Sequence, residues 1–151
     1  MTYDPIVIER TFDAKAEQIW KAITDKNEMK QWYFDISEFK PEPGFVFTFH
    51  AGDEKKQYLH ICTVMEVIPD KKISYTWAYE NIPVETLVTF ELEAEDDKTT
   101  LKLTHVGVEN FPVENNEFAK ENFIEGWTHI IGTALKDYLE KIKSTTFIKT
   151  K

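Results

Sequence analysis

Two histidines and the single cysteine are the residues of this sequence whose types and spacing could do chemistry. His60 and Cys62 stand two residues apart in a strand-like segment, and His105 lies in a later one. They could bind a metal ion, or an imidazole could activate the thiol. Alternate strand residues lie about 6.5 Å apart, too far for a direct thiol-imidazole bond. We therefore expect no metal site and interpret His105 as a polar group lining a cavity, with a hydrogen-bonded core histidine as the alternative.

Enzymatic use of His105 is a further alternative. With Tyr75 or Glu66 as partner, its imidazole would serve as the base of a cyclase-like or hydrolase-like enzyme. Glu66 would then point inward, although a surface location is the simpler expectation. The sequence contains no zinc-protease, nucleophile-elbow, dinucleotide-binding or phosphate-loop motif. It therefore predicts no catalytic residue and no cofactor, and enzymatic activity stays open, with a non-enzyme favoured.

The element that would position these residues is a long amphipathic helix predicted at residues 116–143. Apolar and aromatic residues recur there at intervals of three and four, and most charges lie on the opposite face. At about 1.5 Å per residue it would span roughly 40 Å, so a broad surface must lie beneath it. Gly126, in its middle, suggests either a close approach of backbone or ligand or tight packing of helix on sheet. Residues 144–151 lose the periodicity and are expected to fray.

The rest of the chain predicts the surface under that helix. Alternating apolar and polar residues indicate strands at residues 5–12, 34–36, 45–50, 57–68, 73–79, 84–93 and 99–106. Two short helices follow the first strand, one at about residues 14–24 with Asp13 as its cap and one that begins at Asp25. The inner face of the strand at 57–68 cannot be assigned, because both of its parities carry apolar groups. Hairpin-like turns favour an antiparallel sheet, so the predicted fold is α+β: a curved sheet of about seven strands, in the order β-α-α-β6-α, wrapped around the C-terminal helix.

Composition limits the function classes. The chain of 151 residues has 27 acidic and 18 basic side chains and a net charge of −9, without a basic patch for nucleic acid or an anionic membrane. No run of about 18 apolar residues could span a bilayer, and the N-terminus does not have the pattern of a signal peptide. One cysteine cannot form an internal disulfide. We expect a cytoplasmic protein that is a monomer or a weak dimer.

Five stretches carry a resemblance to a known family. They are DAKAEQIWKAITDKNEMKQWY, FKPEPGFVFTF, CTVMEVIPDKKISYTW, VTFELEAEDDKTTLKLTHVG and EGWTHIIGTALKDYLE. In this order they resemble the homologues of the activator of heat-shock protein 90 ATPase. That family belongs to the START-like, or SRPBCC, superfamily, which also contains the birch pollen allergen and polyketide cyclases. The resemblance implies one START-like domain over residues 1–151, with a helix-grip fold and a cavity between sheet and C-terminal helix.

The resemblance implies several functions, because the superfamily includes lipid carriers, hormone receptors, cyclases and co-chaperone domains. We expect the domain to bind a small hydrophobic or amphipathic ligand, for example a lipid, without clear catalysis. One alternative is a stress-response interaction domain that associates with a chaperone through its acidic outer face. The other is the enzyme that uses His105.

Aromatic side chains on the inner parities are expected to line the cavity, together with a few polar tips. An aromatic core that leaves no cavity is the alternative. The expected lining residues are Trp32, Phe34, Phe47, Phe49, Tyr75, Trp77, Val88, Phe90, Leu103, His105, Phe118, Asn122, Phe123, Trp127 and Ile130.

Overall fold

An antiparallel sheet of six strands forms one layer of the protein. The computed structural model describes residues 5–52, 57–80, 82–111 and 120–149. The strands are β1 (Ile6–Phe12), β2 (Val46–Gly52), β3 (Gln57–Ile68), β4 (Lys72–Tyr79), β5 (Ile82–Glu95) and β6 (Lys98–Val106). Their order across the sheet is β1-β6-β5-β4-β3-β2. Strands β2 to β6 therefore form a meander, and β1 joins it beside the last strand.

Helices form the other layer. Helices α1 (Ala16–Thr24) and α2 (Lys26–Trp32) connect β1 to β2. The C-terminal helix consists of α3 (Lys120–His129), a π-helical segment (Ile130–Leu135) and α4 (Lys136–Lys149). None of the described helices is long and apolar enough to cross a membrane. The α+β arrangement of an antiparallel sheet and a long C-terminal helix confirms the predicted helix grip.

The C-terminal helix differs from its prediction at one end. The predicted start at residues 116–119 lies outside the described residues. At the other end the backbone is helical to Lys149, and the fraying of residues 144–151 stays a prediction. The apolar periodicity that stops near Ile142 thus marks the end of the apolar face and not the end of the helix.

The predicted strand at residues 34–36 was wrong. This segment makes no ladder with a neighbour; the Ile36 amide donates to the Phe34 carbonyl at 3.1 Å, and the Ser37 amide reaches the Thr48 carbonyl at 2.9 Å. Ile36 and Phe39 are nevertheless buried. Alternating apolar residues arise here because a loop inserts its side chains into the core, which produces the same pattern as a strand.

The two predicted helix caps have different outcomes. Asp25 caps α2 as predicted, since its Oδ1 accepts hydrogen bonds from the amides of Asn27 at 2.8 Å and Glu28 at 3.3 Å. The prediction for Asp13 was wrong, because α1 begins at Ala16, after an extended Lys15 that makes no side-chain cap. Buried Thr99 donates from Oγ1 to the Ala14 carbonyl at 2.8 Å. This bond holds the chain extended against β6 and delays the helix.

The sheet has a buried inner face and a solvated outer face. On β3 the inner residues are His60, Cys62 and Val64, which settles the parity that the sequence left unassigned. Pairing with β4 shifts between Val64 and Glu66. On the inner face the other strands place aromatic and aliphatic groups in rows against the C-terminal helix.

Charges of alternating sign cross the outer face. Glu66 Oε1 lies 2.9 Å from Lys72 Nζ, and Glu66 is at the surface as expected. Lys72 pairs with Glu91, Glu91 with Lys102, and Lys102 with Glu9 on successive strands. Such cross-strand pairs stabilise a sheet modestly. This part of the outer face is therefore electrostatically balanced despite the acidic sequence.

Two glycines have opposite structural roles. Gly107, which follows β6, has φ +95°, and a Cβ there would lie 3.4 Å from Thr86 Cγ2. Gly126 is exposed in α3, and a Cβ there would meet no atom of the described residues within 4 Å. Tight packing of Gly126 on the sheet, and a close approach of backbone from the described residues, were therefore wrong.

We expect Gly107→Ala to lower the free energy of unfolding by about 1–2 kcal/mol, because alanine is strained at positive φ. Gly126→Ala is the matched control and should raise it by about 0.5–1 kcal/mol, because alanine loses less backbone entropy in a helix. Urea unfolding followed by circular dichroism measures both. Equal effects of the two substitutions would contradict the assignment.

Candidate functional site

Aromatic rings from the sheet, the loops and the C-terminal helix meet on the inner face of the sheet. Their contacts form a closed circuit with neighbouring centroids 4.5–6.5 Å apart. The indole of Trp77 contacts Phe34, His60, His105 and Trp127 at 5.0–6.5 Å. We call these rings the aromatic cluster; its members, in order of contact, are Phe34, His60, Tyr79, Phe111, Phe123, His105, Trp127 and Tyr33, together with Trp77.

The aromatic cluster reaches the protein surface at one side. Tyr33, Phe34 and Phe123 are half-buried, while Trp77 is only 5% and Trp127 only 2% exposed. Tyr33 and Phe34 come from the loop after α2, and Phe123 comes from the first turn of α3 in the described residues. Apolar ring surface is therefore accessible between this loop and the C-terminal helix, above a buried tryptophan.

A hydrogen-bond chain fixes the helix side of the cluster. Trp127 Nε1 donates to His105 Nδ1 at 3.0 Å. His105 Nε2 lies 2.8 Å from Thr86 Oγ1, which itself donates to the Trp77 carbonyl at 2.8 Å. Because Nδ1 accepts and the hydroxyl proton is used, Nε2 must carry the imidazole hydrogen. The hydrogen-bond chain thus runs in one direction, and His105 is neutral and in a single tautomer.

This arrangement makes His105 a hydrogen-bonded core histidine. Its side chain is fully buried, and burial lowers its pKa to about 3. The lone pair that a general base would need already accepts the Trp127 hydrogen. The nearest hydroxyl partner of Tyr75 is Tyr33, so the predicted alternative of a base paired with Tyr75 or Glu66 has no support in the geometry.

His60 and Cys62 are also buried. The His60 ring stacks on Phe49 with centroids 4.4 Å apart, and its Nδ1 lies 3.0 Å from the Tyr58 carbonyl. Burial lowers the pKa of His60 to about 4, against a smaller opposing effect of a backbone hydrogen bond with Phe49. Burial also raises the pKa of the Cys62 thiol. A neutral, buried thiol is a small apolar group and a poor nucleophile.

The described parts of the chain contain no cluster of side chains that could bind a metal ion. No three histidine, cysteine, aspartate or glutamate side chains lie together there in a way that could hold a metal ion. Both nitrogens of His105 are occupied by hydrogen bonds. The imidazoles of His60 and His105 each contact Trp77.

Tyr33 and Tyr75 form a hydroxyl pair beside the cluster. Their oxygens lie 2.9 Å apart. The Tyr33 ring contacts Trp127 and Phe34, whereas the Tyr75 ring packs deeper, against Phe47 and Phe90. Burial raises the pKa of both phenols, so both stay protonated.

The predicted lining residues occupy different environments. Five belong to the aromatic cluster, and Phe47, Phe49, Tyr75, Val88, Phe90 and Leu103 are buried around it. The Trp32 indole donates to the Ala22 carbonyl at 2.9 Å and so joins α2 to α1. Ile130 is half-buried, Asn122 is exposed, and Phe118 lies outside the described residues.

Tyr33 and Phe111 belong to the aromatic cluster, but the sequence patterns did not predict them as lining residues. Tyr33 stands between the predicted residues Trp32 and Phe34, where the helical period ends, and Phe111 follows a short 3-10 turn at Val108–Asn110. Neither has a periodic neighbour that would place it on an inner face. The signal for Tyr33 was the run of three aromatic residues at 32–34.

A surface groove lies outside the aromatic cluster and is a second possible binding site. It has a volume of about 510 Å³ and lies between the end of β1, the β5–β6 turn and α4. Its lining comprises Thr11, Phe12, Asp13, Lys98, Lys136, Leu139 and Glu140. Most of its lining side chains are polar or charged, and only Phe12 and Leu139 are apolar, so the aromatic cluster is the better candidate site for an apolar molecule.

The two buried histidines predict loss of stability in acid. In the unfolded chain each histidine has a pKa near 6.5. In the folded chain burial lowers the pKa to about 4 at His60 and to about 3 at His105. The free energy of unfolding should therefore fall as pH falls below 6.5, by up to about 1.4 kcal/mol per pH unit for each histidine. Urea unfolding between pH 7.5 and 4.5 measures this slope.

Substitution of one histidine tests the origin of this dependence of the unfolding free energy on pH. His105→Gln should be less stable at pH 7 but should show a flatter profile, while the same change at exposed His129 should leave the profile unaltered. A His105→Gln profile as steep as that of the unsubstituted protein would contradict the assignment.

Comparisons with known proteins agree with this fold. A family model described as Activator of Hsp90 ATPase homolog 1-like protein matches residues 13–140. No functionally curated protein matches the sequence. Protein MLL2253 from Mesorhizobium loti superposes with a TM-score of 0.75 at 26% identity, over 91% of this chain and 97% of that chain.

Two further solved structures share the fold. Aha1 from Colwellia psychrerythraea, solved as a dimer, has a TM-score of 0.70 at 24% identity, over 91% of this chain and 97% of that one. DynU16, from the dynemicin biosynthetic locus, has a TM-score of 0.74 at 22% identity; 92% of this chain matches 48% of DynU16, so this chain spans about half of its length. Since the family model covers most of the chain, the protein belongs to the Activator of Hsp90 ATPase homolog 1-like family, within the START-like superfamily of helix-grip domains.

Proposed function

We propose that this protein binds a small hydrophobic or amphipathic molecule at the aromatic cluster. The observation that carries the proposal is the half-buried edge formed by Tyr33, Phe34 and Phe123 over the buried indole of Trp77. Aromatic rings at a surface lose apolar area to a ligand and so favour its binding, and flat ligands add ring-ring contacts. The site lies between the inner face of the sheet and the C-terminal helix, whose rings contact each other there.

The chemistry of the site favours recognition over reaction. His105 has no free lone pair, Cys62 is neutral and buried, and the phenols stay protonated. What remains is a large apolar surface with a few oriented hydrogen-bonding groups.

Naphthalene is a suitable first probe, because it has no polar group. We expect it to quench tryptophan fluorescence and to shift the amide resonances of Trp77 and Trp127 in a titration followed by nuclear magnetic resonance. Phe123→Ser should weaken this binding roughly tenfold, because one ring of the half-buried edge is lost. Ile124→Ser is the matched control on the same helix and should have little effect, since Ile124 is 39% exposed and outside the cluster.

The proposal also predicts thermal stabilisation by the right ligand. A screen of lipids, sterols and aromatic metabolites should raise the unfolding temperature for at least one apolar class. If neither naphthalene nor any apolar class bound, and all amide shifts stayed away from the cluster, the proposal would be wrong.

A chaperone partner is the second candidate, and the family description favours it. The alternating charges on the outer face at Lys72, Glu91 and Lys102 could pair with a charged partner surface. We expect a heat-shock protein 90 homologue to be retained by the immobilised protein and its ATPase rate to rise. Unchanged ATPase activity together with no retention would remove this candidate.

A further inference from the structure

We propose that two copies of this chain associate through the outer faces of their sheets, stacked about a two-fold axis that runs parallel to the strands, between β5 and β6. The inference goes beyond the proposed function, because the aromatic cluster lies on the inner face of the sheet. It assigns one occupant to the outer face, a second copy of this chain.

Four charged side chains form a row across the outer face, one from each of four adjacent strands. In the order β1, β6, β5 and β4 they are Glu9, Lys102, Glu91 and Lys72, and the strand registers place them beside each other. Glu9 and Lys102 are exposed, and Glu91 and Lys72 are half-buried. We call these four residues the charge row. Its signs alternate, and its net charge is zero.

The charge row is complementary to its own reversed order. The proposed axis reverses it, because the axis sets β6 of one copy opposite β5 of the partner and β1 opposite β4. Lys102 then faces the partner's Glu91, and Glu9 faces the partner's Lys72. Each contact occurs twice in a symmetric interface, so every member of the charge row meets an opposite charge.

On one side of the charge row the neighbouring side chains of the outer face are uncharged. Val7 and Val106 are 45% and 39% exposed there. In the same arrangement Val106 lies opposite the partner's half-buried Leu87, since these residues pair on β6 and β5 within one copy. Thr104 lies opposite the partner's Thr89 for the same reason. The stacked copies therefore cover exposed apolar area beside the charge row.

The outer face is large enough for a weak dimer. Strands lie about 4.8 Å apart and alternate side chains about 6.7 Å apart, so four strands with four side chains each span roughly 500 Å². Two such faces would bury about 1,000 Å², which is at the low end for specific complexes. Stacked sheets keep their strands within about 30° of each other, so the contacts near the axis are preserved. We expect a dissociation constant of roughly 10–100 µM.

Charge distinguishes a second copy from a partner of another kind. The chain has a net charge of −9, but the charge row is neutral. A partner surface with charges of one sign would therefore be repelled at two positions of the row and attracted at the other two. A surface with the reversed order of signs is attracted at all four, and a second copy presents that order.

Sedimentation velocity at protein concentrations from about 10 µM to 1 mM tests the association. Lys72→Glu should weaken the dimer at least roughly tenfold, because two attractive pairs become repulsive. Glu9→Lys should have the same effect. Lys30→Glu is the matched control, since it makes the same charge change as Lys72→Glu at an exposed position on α2 and should leave the association unaltered.

A mixture of the two variants separates the interface from any local effect on folding. When a Lys72→Glu chain pairs with a Glu9→Lys chain, all four positions again carry opposite charges. The mixed dimer should therefore form about as tightly as the original one, although neither variant associates well alone. The chain with both substitutions should also dimerise, even though like charges then adjoin within each copy. Circular dichroism verifies that each variant is folded.

The outcomes bear on this inference separately from the proposed function. A protein that stays monomeric at about 1 mM overturns the inference. A dimer that Lys72→Glu does not weaken, or whose loss persists in the mixture, overturns it as well. If the chain is monomeric and Lys72→Glu abolishes retention of a heat-shock protein 90 homologue, the outer face belongs to that partner instead. Naphthalene binding at the aromatic cluster is measured independently and is expected to be the same in all variants.

Discussion

The hydrogen-bond chain from Trp127 through His105 and Thr86 to the Trp77 carbonyl joins the C-terminal helix to three adjacent strands. Each member is buried, and each donor in the chain has one acceptor, so the rings that carry them have one orientation. Removal of one partner would leave another buried polar group unpaired, which costs more than the bond contributes. Gly107 helps to maintain this hydrogen-bond chain, because its positive φ lets the backbone leave β6 directly beside Thr86.

The C-terminal helix keeps its apolar face on the sheet over several turns by changing its own geometry. Trp127, Ile131, Leu135 and Leu139 are buried at intervals of four residues. In an α-helix four residues overshoot a full turn by about 40°, so this row would rotate away from the sheet. The π-helical segment at Ile130–Leu135 has more residues per turn and offsets the drift. A buried row with a strict interval of four can thus stay over the sheet.

Sequence patterns predicted the sheet well because its signal is local. Alternation indicated β1 and all five strands of the meander, and parity alone put His105 and Trp77 on the inner face. The same rule failed at Ile36, where a loop inserts side chains into the core at the spacing of a strand. It also could not decide β3, because its outer residues Leu59 and Ile61 are apolar as well. A sequence pattern shows which side chains are apolar, but it does not show which other part of the chain packs against them.

The candidate site was harder to predict, because its chemistry depends on contacts between distant residues. Nothing near His105 in the sequence indicates that Trp127, 22 residues away, occupies its lone pair. That single contact changes the interpretation of the histidine from a base to a structural acceptor. Tyr33 and Tyr75 are 42 residues apart, and their pairing depends on how the loop after α2 lies over β4.

Catalysis and recognition make opposite demands on such a site. A general base needs a free lone pair and a pKa near neutrality, whereas His105 has neither. A binding site needs polar groups whose orientation is fixed before the ligand arrives, so that little freedom is lost on binding. The bonded histidine supplies that rigidity by holding Trp127, and Trp127 in turn supports the Tyr33 ring. The same interaction that removes His105 from chemistry therefore fixes the rings of the aromatic cluster, where we propose that a ligand binds.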